Sequence, residues 1–364
     1  MENKKSWKHG LYEKTLQLFD NIFNRKNSLS VELKENLPEE GPVLVLSNHM
    51  RCWDPAWIAL AFYKNTEKKV CLDFMMKDKP FGEVGILSNL NGLFNAMIKN
   101  YNVHTIDRDN PTMLQLRGFI NILRNQEKFL GIFPGAKISC TGNYNEKHQE
   151  RETLAIKMAN SAQKGSYPVK IIESAITYNN LTKKVTVSFG NVRYFESKET
   201  KGRLLDEKIN SFTAEMWKNI GSLVKANLDS IGAYYLYEYC NKLKGNNSQN
   251  NVYVNKNELN NDLFLIVNEA NTLNKTNLDA CLLDKDYFSH EFNDFMEYWE
   301  KKNVLKRIKN TYSLNKKETL NPMQNTGEII KTNIVYAKNR IGHYGDLTER
   351  IKNQVKKRIY HKIV

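Results

Sequence analysis

Apolar and polar positions divide the chain into an alternating first half and a helical second half. Up to Gly190, short apolar runs alternate with helical stretches, which is typical of an α/β domain. The predicted strands lie near residues 43–46, 70–74, 103–106, 129–133, 169–177 and 185–189. After Gly190, apolar residues recur at helical spacing. The predicted helices there are Glu207–Leu228, Ile231–Leu243, Asn257–Leu273 and Glu291–Lys309.

This order of elements predicts an α/β fold with a mixed central sheet flanked by helices, and a mainly α-helical C-terminal extension. The strongest linker signal is the small, polar run at residues 245–251. We expect an amphipathic helical segment over residues 1–40 and the α/β domain over 41–200. Residues 201–245 are expected to form helices that pack on this domain, and residues 246–364 a basic helical region.

The candidate chemistry lies where the first predicted strand gives way to a helix. His49 follows the apolar run Val43–Leu46, and Asp54 stands five positions later, directly before Pro55. Asp before Pro is a typical helix start, with Asp as the N-cap. Because the chain turns at this boundary, the two side chains are able to meet as a base and its orienting carboxylate. In the alternative interpretation, Asp54 only caps the helix and His49 bonds to backbone groups.

The block around His49 and Asp54 resembles the first signature of the PlsC-type glycerolipid acyltransferases. Further stretches resemble the later signatures in the family's order, at residues 75–81, 102–108, 133–139 and 167–172. The resemblance covers residues 41–190. It implies an enzyme that moves a fatty acyl group from a thioester to a glycerophosphate hydroxyl, with His49 and Asp54 as the catalytic dyad.

The third signature departs from the family's Phe-Pro-Glu-Gly-Thr-Arg-Ser. Here Phe133–Ser139 has Gly135 in place of Glu and Ile138 in place of Arg. Because this segment binds the glycerol phosphate in the family, the departure concerns the acceptor more than the chemistry. As a hypothesis, Lys137 binds the phosphate as a point charge, beside the retained Ser139. Backbone amides around Gly135 are candidates for stabilising the oxyanion.

Arg108 ends the second signature and is the other candidate for binding a phosphate. A guanidinium is able to hold a phosphate with two parallel hydrogen bonds, which favours this role. The alternative is an ion pair with the neighbouring Asp107 or Asp109.

The chemistry of acyl transfer explains the expected roles of the dyad. A hydroxyl is a poor nucleophile near neutral pH, so His49 is expected to take its proton as the thioester is attacked. Asp54 is expected to hold the other ring nitrogen and to stabilise the imidazolium. The substrate is then the nucleophile. Cys52 offers an acyl-cysteine alternative, but only Arg51 and the helix start favour a reactive thiolate there.

Composition is consistent with an intracellular enzyme that works at a membrane surface. The chain has 364 residues, of which 41% are hydrophobic, and its five cysteines show no metal-type spacing. No apolar stretch is long enough to span a bilayer. We therefore expect a cytoplasmic, peripheral membrane protein with no metal and no tightly bound cofactor. Acyl-CoA or acyl carrier protein is expected as co-substrate.

The positive charge is concentrated near the C-terminus. The net charge is +14, and residues 296–364 contain 16 Lys and Arg against 6 Asp and Glu. Anionic lipid is the expected partner of this end, and an acidic carrier protein or the phosphates of coenzyme A are alternatives. A nucleic-acid-binding protein is the other function class that this charge allows, but the sequence contains no recognisable motif for it.

Two terminal segments have the profile of helices that lie on a membrane. Residues 7–23 place apolar side chains largely on one side of a helix, between clusters of lysine and arginine. Near the other end, apolar residues recur every four positions among basic side chains, at Leu347, Ile351, Val355, Ile359 and Ile363. Both profiles equally describe helices that pack on a domain and expose a charged face.

We therefore expect an O-acyltransferase that esterifies a glycerophosphate acceptor, such as a lysophosphatidate, in phospholipid synthesis. One alternative is an acyltransferase for another lysophospholipid or a hydroxylated lipid. The other is a catalytically inactive lipid-binding relative. The sequence does not indicate the oligomeric state.

Overall fold

The fold combines a seven-stranded mixed sheet, a separate three-stranded sheet and helices. The computed structural model describes residues 2–23, 27–51, 53–77, 103–106, 112–135, 139, 141–144, 152–164, 167–196, 201–243, 251–273, 276–309, 311–320 and 334–363. Residues 245–250 of the predicted linker lie outside these ranges. The predicted α/β fold with a mixed central sheet is confirmed.

The described strands and helices alternate along the first part of the chain. The strands are β1 (Ser28–Glu32), β2 (Val43–Ser47), β3 (Leu72–Lys77), β4 (Val103–Ile106), β5 (Phe129–Ile132), β6 (Lys170–Asn179), β7 (Lys184–Tyr194), β8 (Asn251–Asn255), β9 (Leu305–Ile308) and β10 (Thr311–Asn315). The helices are α1 (Glu2–Phe23), α2 (Asp54–Asn65), α3 (Met113–Ile122), α4 (Leu154–Gln163), α5 (Arg203–Leu223), α6 (Leu228–Lys242), α7 (Lys256–Asn271), α8 (Lys285–Lys301), α9 (Lys316–Leu320), α10 (Ile334–Asn339) and α11 (Gly345–Ile363).

The main sheet has a parallel centre. Its strand order is β1-β7-β6-β2-β5-β3-β4, and β2 pairs in parallel with both β5 and β6. Strand β3 pairs in parallel with β4 and β5. All residues of β2 are buried, which is why this strand is an uninterrupted apolar run ending in serine. The carboxyl ends of these parallel strands lie along one edge of the sheet, where ligands of open α/β sheets usually bind.

The C-terminal extension contains strands that its helical pattern does not predict. The predicted helix Glu291–Lys309 is wrong over its last part, because α8 ends at Lys301 and β9 follows. Val304 and Leu305 are buried, and β9 forms an antiparallel ladder with β10. Strand β8 pairs with the other side of β10 and completes a three-stranded sheet. Pairing between distant segments therefore overrides the local helical periodicity here.

The chain divides into two compact units. The first unit comprises residues 1–138, 147–176 and 185–223, and the second comprises 139–146, 177–184 and 224–364. The second unit starts well before the predicted linker, because α6 packs with α10 and α11.

Both terminal amphipathic helices bury part of their apolar stripes. In α1, the residues Tyr12, Leu16 and Phe19 are buried, and the helix packs against α2. In α11, Leu347, Ile351 and Val355 are fully buried and Ile359 is partly buried, and the helix packs against α6 and α7. These buried residues show that both helices pack on a domain, while membrane contact by the rest of each segment stays a prediction.

A buried polar cluster crosses the core of the second unit. Arg340 binds Asp229 through Nη2 and Oδ2 at 2.5 Å, and its other terminal nitrogen donates to the carbonyl of Tyr178. Asn179 donates to Oε1 of Glu291 at 2.7 Å. Burial raises the pKa of Glu291 from 4.5 to about 7, and the nearby negative charges act in the same direction. Glu291 therefore takes up a proton on folding near neutral pH.

Glu291 makes the stability of the protein depend on pH. Because its pKa is higher in the folded state, the stability contributed by proton binding is complete below pH 4.5 and is lost as pH rises to about 7. The full loss is about 3 kcal/mol in the free energy of unfolding. Glu291→Gln should stabilise the protein relative to the parent much more at pH 8 than at pH 5 in chemical denaturation experiments.

A matched control lies on the same helix. Glu300 is exposed, so Glu300→Gln should shift the free energy of unfolding little, and similarly at both pH values. An equal effect of Glu291→Gln at pH 5 and pH 8 would show that Glu291 is ionised throughout this range.

Candidate active site

The site is built at the carboxyl end of β2, where the chain turns into α2. His49 lies in the loop after β2, and Asp54 is the first residue of α2. The predicted N-cap role of Asp54 is wrong, because Trp53 is the N-cap and makes no side-chain capping bond. The carboxylate of Asp54 instead turns back toward the loop that precedes the helix.

One carboxylate oxygen organises the whole loop. Oδ2 of Asp54 accepts hydrogen bonds from Met50 N at 2.5 Å and Arg51 N at 2.8 Å. The same oxygen lies 2.9 Å from Nδ1 of His49. Asp54 is fully buried, and the His49 side chain is 12% exposed. The loop geometry and the orientation of the imidazole therefore depend on the same atom.

Asn48 ties the His49 loop to the neighbouring strand. Its side chain accepts from Ile176 N at 2.8 Å and donates to Ile176 O at 3.1 Å. These bonds continue the β2–β6 ladder past Ser47, which pairs with Ser174. The residue before the histidine is therefore held as firmly as a strand residue.

Aromatic rings cover one face of the His49 imidazole. Phe133 stacks on it with the ring centroids 4.3 Å apart, and Phe74 lies beyond Phe133 with nearly parallel ring planes. Gly131 makes room for this arrangement, because a Cβ there would lie 2.4 Å from the Phe74 ring. The stack limits rotation of the imidazole and excludes water from that face.

The other predicted site residues are distributed differently. Gly135 is buried and follows by two positions Phe133, whose ring stacks on His49. Ser139 belongs to the second unit, where its hydroxyl accepts from Gly142 N at 3.0 Å and closes a turn. Arg108 and Lys137, like Cys52, lie outside the described residues.

The structure also reveals a second histidine–carboxylate pair in the first unit. His104 Nε2 on β4 lies 2.8 Å from Oδ1 of Asp73 on β3, and Lys128 binds the other oxygen at 3.1 Å. Asp73 pairs with Leu130 near the start of both strands, at the edge of the sheet opposite His49. No local sequence pattern indicates this pair, since its residues come from separate strands. Each oxygen of the buried Asp73 therefore has a partner, and Lys128 supplies the opposite charge.

Two further structural findings concern only the described residues. Among them, no group of His, Cys, Asp and Glu side chains is arranged to hold a metal ion. Likewise, none of their helices is both long and apolar enough to cross a bilayer.

The geometry fits proton transfer. Asp54 holds Nδ1 of His49, so the opposite ring nitrogen is the one suited to accept a proton from a hydroxyl. Residues 28–172, which include this dyad, match the family model Acyltransferase. The chain contains an acyltransferase domain. The resemblance to the PlsC-type acyltransferases noted in the sequence is confirmed at the level of this family.

A solved structure is similar to part of this chain. The 1-acyl-sn-glycerophosphate (LPA) acyltransferase PlsC from Thermotoga maritima is 16% identical, and the match covers 59% of this chain and 82% of that chain. The TM-score of this match is 0.38. No curated protein matches the sequence significantly.

Proposed function

We propose that this protein transfers a fatty acyl group from acyl-CoA or acyl carrier protein to a hydroxyl of a glycerophosphate acceptor such as a lysophosphatidate. The observation that carries the proposal is the His49–Asp54 pair, joined at 2.9 Å inside an acyltransferase domain. The thioester is a co-substrate, and no tightly bound cofactor or metal takes part.

The reaction follows from the orientation of His49. Its Nε2 accepts the proton of the acceptor hydroxyl while the hydroxyl oxygen attacks the carbonyl carbon of the thioester. Asp54 keeps Nδ1 protonated and stabilises the imidazolium. When the C–S bond breaks, His49 returns the proton to the thiolate, which leaves as a thiol. The new C–O bond is the ester, and Cys52 is not required.

The remaining roles concern charge on the substrate. Backbone amides near Gly135 are proposed to stabilise the oxyanion that forms when the thioester is attacked. Arg108 and Lys137 are proposed to bind the acceptor phosphate, supported by their places in the second and third signatures. Ser139 is a weaker candidate, because its hydroxyl already holds the Gly142 amide.

The membrane is the proposed source of the lipid acceptor. A net charge of +14 favours an anionic lipid surface, where the protein would lie as a peripheral protein on the cytoplasmic side. Nucleic acid is not proposed as a partner.

The altered third signature supports a second candidate function. Gly135 and Ile138 replace the acid and the cation of the family pattern, so an acceptor other than a glycerophosphate remains an alternative. Another lysophospholipid or a hydroxylated lipid would use the same dyad and the same chemistry. An inactive lipid-binding relative is the third candidate.

An acceptor panel distinguishes these candidates. Purified protein should transfer a labelled acyl group to glycerol-3-phosphate or lysophosphatidate in preference to neutral lysolipids. Arg108→Ala should raise KM for the phosphate-bearing acceptor by roughly 10- to 100-fold, because a charge-assisted hydrogen bond is lost. The effect on neutral acceptors should be small.

Arg124→Ala is the matched control for this panel. Arg124 is an exposed arginine whose guanidinium bonds to the Ser161 carbonyl, so its loss should leave KM unchanged. Preferred transfer to neutral acceptors would establish the second candidate instead. Tight lipid binding without transfer to any acceptor would establish the third candidate, an inactive lipid-binding protein.

A further inference from the structure

Three exposed apolar residues lie at the sheet edge that carries His49. Trp53 directly precedes α2, while Met113 and Leu114 are the first residues of α3. Because α3 returns from the end of β4 to the start of β5, which runs parallel to β4 within the sheet, its first turn lies at the carboxyl edge. The dyad occupies the same edge, at the end of β2.

These side chains are unusually accessible for their type. Trp53 is 43% exposed, Met113 66% and Leu114 79%. Leu18 on α1 is 58% exposed, and its neighbour Phe19 packs against Trp53 with the centroids 5.9 Å apart. Single exposed apolar residues are common, but several along one functional edge mark an interaction surface. We name the three exposed residues Trp53, Met113 and Leu114 the carboxyl-edge rim.

The exposed charge in the first turns of α3 is positive. Arg117 is exposed and stands one helical turn after Leu114, on the same side of α3. Residues 112–124 contain no aspartate or glutamate. Aliphatic side chains with an arginine one turn away suit the boundary between acyl chains and anionic headgroups.

The buried side chains of the two terminal helices leave contact with a lipid bilayer to another part of the surface. Tyr12, Leu16 and Phe19 of α1 are buried within the first unit, and Leu347, Ile351 and Val355 of α11 are buried within the second. These side chains are therefore not available to a bilayer. A lipid acceptor must nevertheless reach His49. We propose that the carboxyl-edge rim docks the acyltransferase domain on an anionic bilayer, which presents the acceptor to His49. This inference rests on the proposed function for its purpose, but the docking itself is measurable without catalysis.

Vesicle binding by the full chain tests the rim. The double variant Met113→Gln and Leu114→Gln should bind vesicles of equal parts phosphatidylcholine and phosphatidylglycerol more weakly by on the order of 10- to 100-fold. Both side chains are exposed, so the fold should tolerate the change. Vesicles of phosphatidylcholine alone should bind the parent protein much more weakly, since they lack the anionic headgroup.

Leu204→Gln provides the matched control. Leu204 is 65% exposed and stands in the first turn of α5, so its replacement changes a similar side chain at another helix start. It should leave vesicle binding unchanged. Equal loss in this control, full binding by the double variant, or equal binding to the neutral vesicles would each overturn the proposal.

A kinetic comparison separates docking from chemistry. The double variant should raise KM for a long-chain acceptor embedded in vesicles, while kcat and KM for a water-soluble short-chain acceptor should stay within about twofold of the parent. Equal losses with both acceptors would overturn the docking role. Failure of the proposed function would appear differently, as a parent protein that binds vesicles but transfers no acyl group.

Discussion

Replacing His49 with alanine should lower kcat/KM for acyl transfer by roughly 10²–10⁴-fold, the usual contribution of a positioned general base. The variant loses the imidazole that Asp54 orients at this loop. Most of the change should fall on kcat, because the base acts in the transition state and not in substrate binding. Initial rates with a labelled thioester at saturating acceptor measure this directly.

A surface pair supplies the control for His49. His290 and Asp294 form an exposed pair at 3.4 Å on α8, so His290→Ala removes a histidine with a neighbouring carboxylate without touching the dyad. Its activity should equal that of the parent. Unchanged kcat in a correctly folded His49→Ala protein would exclude His49 as the base and would return Cys52 to consideration.

Asp54→Asn should lower kcat on the order of 10³-fold with little change in the acceptor KM. An asparagine oxygen at the position of Oδ2 is able to keep the bonds to Met50 N, Arg51 N and the His49 ring. The negative charge that stabilises the imidazolium is lost. The variant therefore separates the electrostatic role of Asp54 from its role in loop geometry.

Asp54→Ala supplies the comparison. It should lose the same electrostatic contribution and also leave two backbone amides without their acceptor, at a cost of about 1–3 kcal/mol for each buried group. The melting temperature should fall in Asp54→Ala and stay near that of the parent in Asp54→Asn. Asp294→Asn, in the exposed His290–Asp294 pair, should change neither kcat nor the melting temperature. Full activity of Asp54→Asn would show that Asp54 only shapes the loop.

Much of the first unit was predictable because its central strands are buried on both faces. Strands β2 and β5 fall within a residue of their predicted bounds, since a continuous apolar run between turn residues is typical of a buried parallel strand. The predicted strand at 70–74 is shifted, and the strand actually spans Leu72–Lys77. In the extension, residues 305–308 are a strand within a helical pattern, because the pairing with β10 is a tertiary contact.

The dyad was visible in the sequence because its residues are close along the chain. A histidine and an aspartate five positions apart, across a strand–helix boundary, are local features that patterning and turn chemistry place together. The role of Asp54 was only partly visible, since a helix N-cap and a carboxylate that turns back on the loop share the same Asp-Pro sequence.

The supports of the dyad were decided by tertiary structure. Asn48 bonds to Ile176, a residue far away in the chain, and Phe133 reaches His49 through the pairing of β5 beside β2. The order of parallel strands determines which distant residues become neighbours, and one chain without its contacts does not reveal that order.

The same division between what local sequence predicts and what tertiary contacts decide holds for the molecule as a whole. The sequence by itself determined the α/β class, the resemblance of residues 28–172 to the acyltransferase family and the His49–Asp54 pair, because each depends on local patterns. Only the tertiary structure decided which apolar residues of α1 and α11 are buried, and that Trp53, Met113 and Leu114 share an edge with the dyad. Burial and edge position are properties of packing, so residues with identical local patterns end in the core or in solvent.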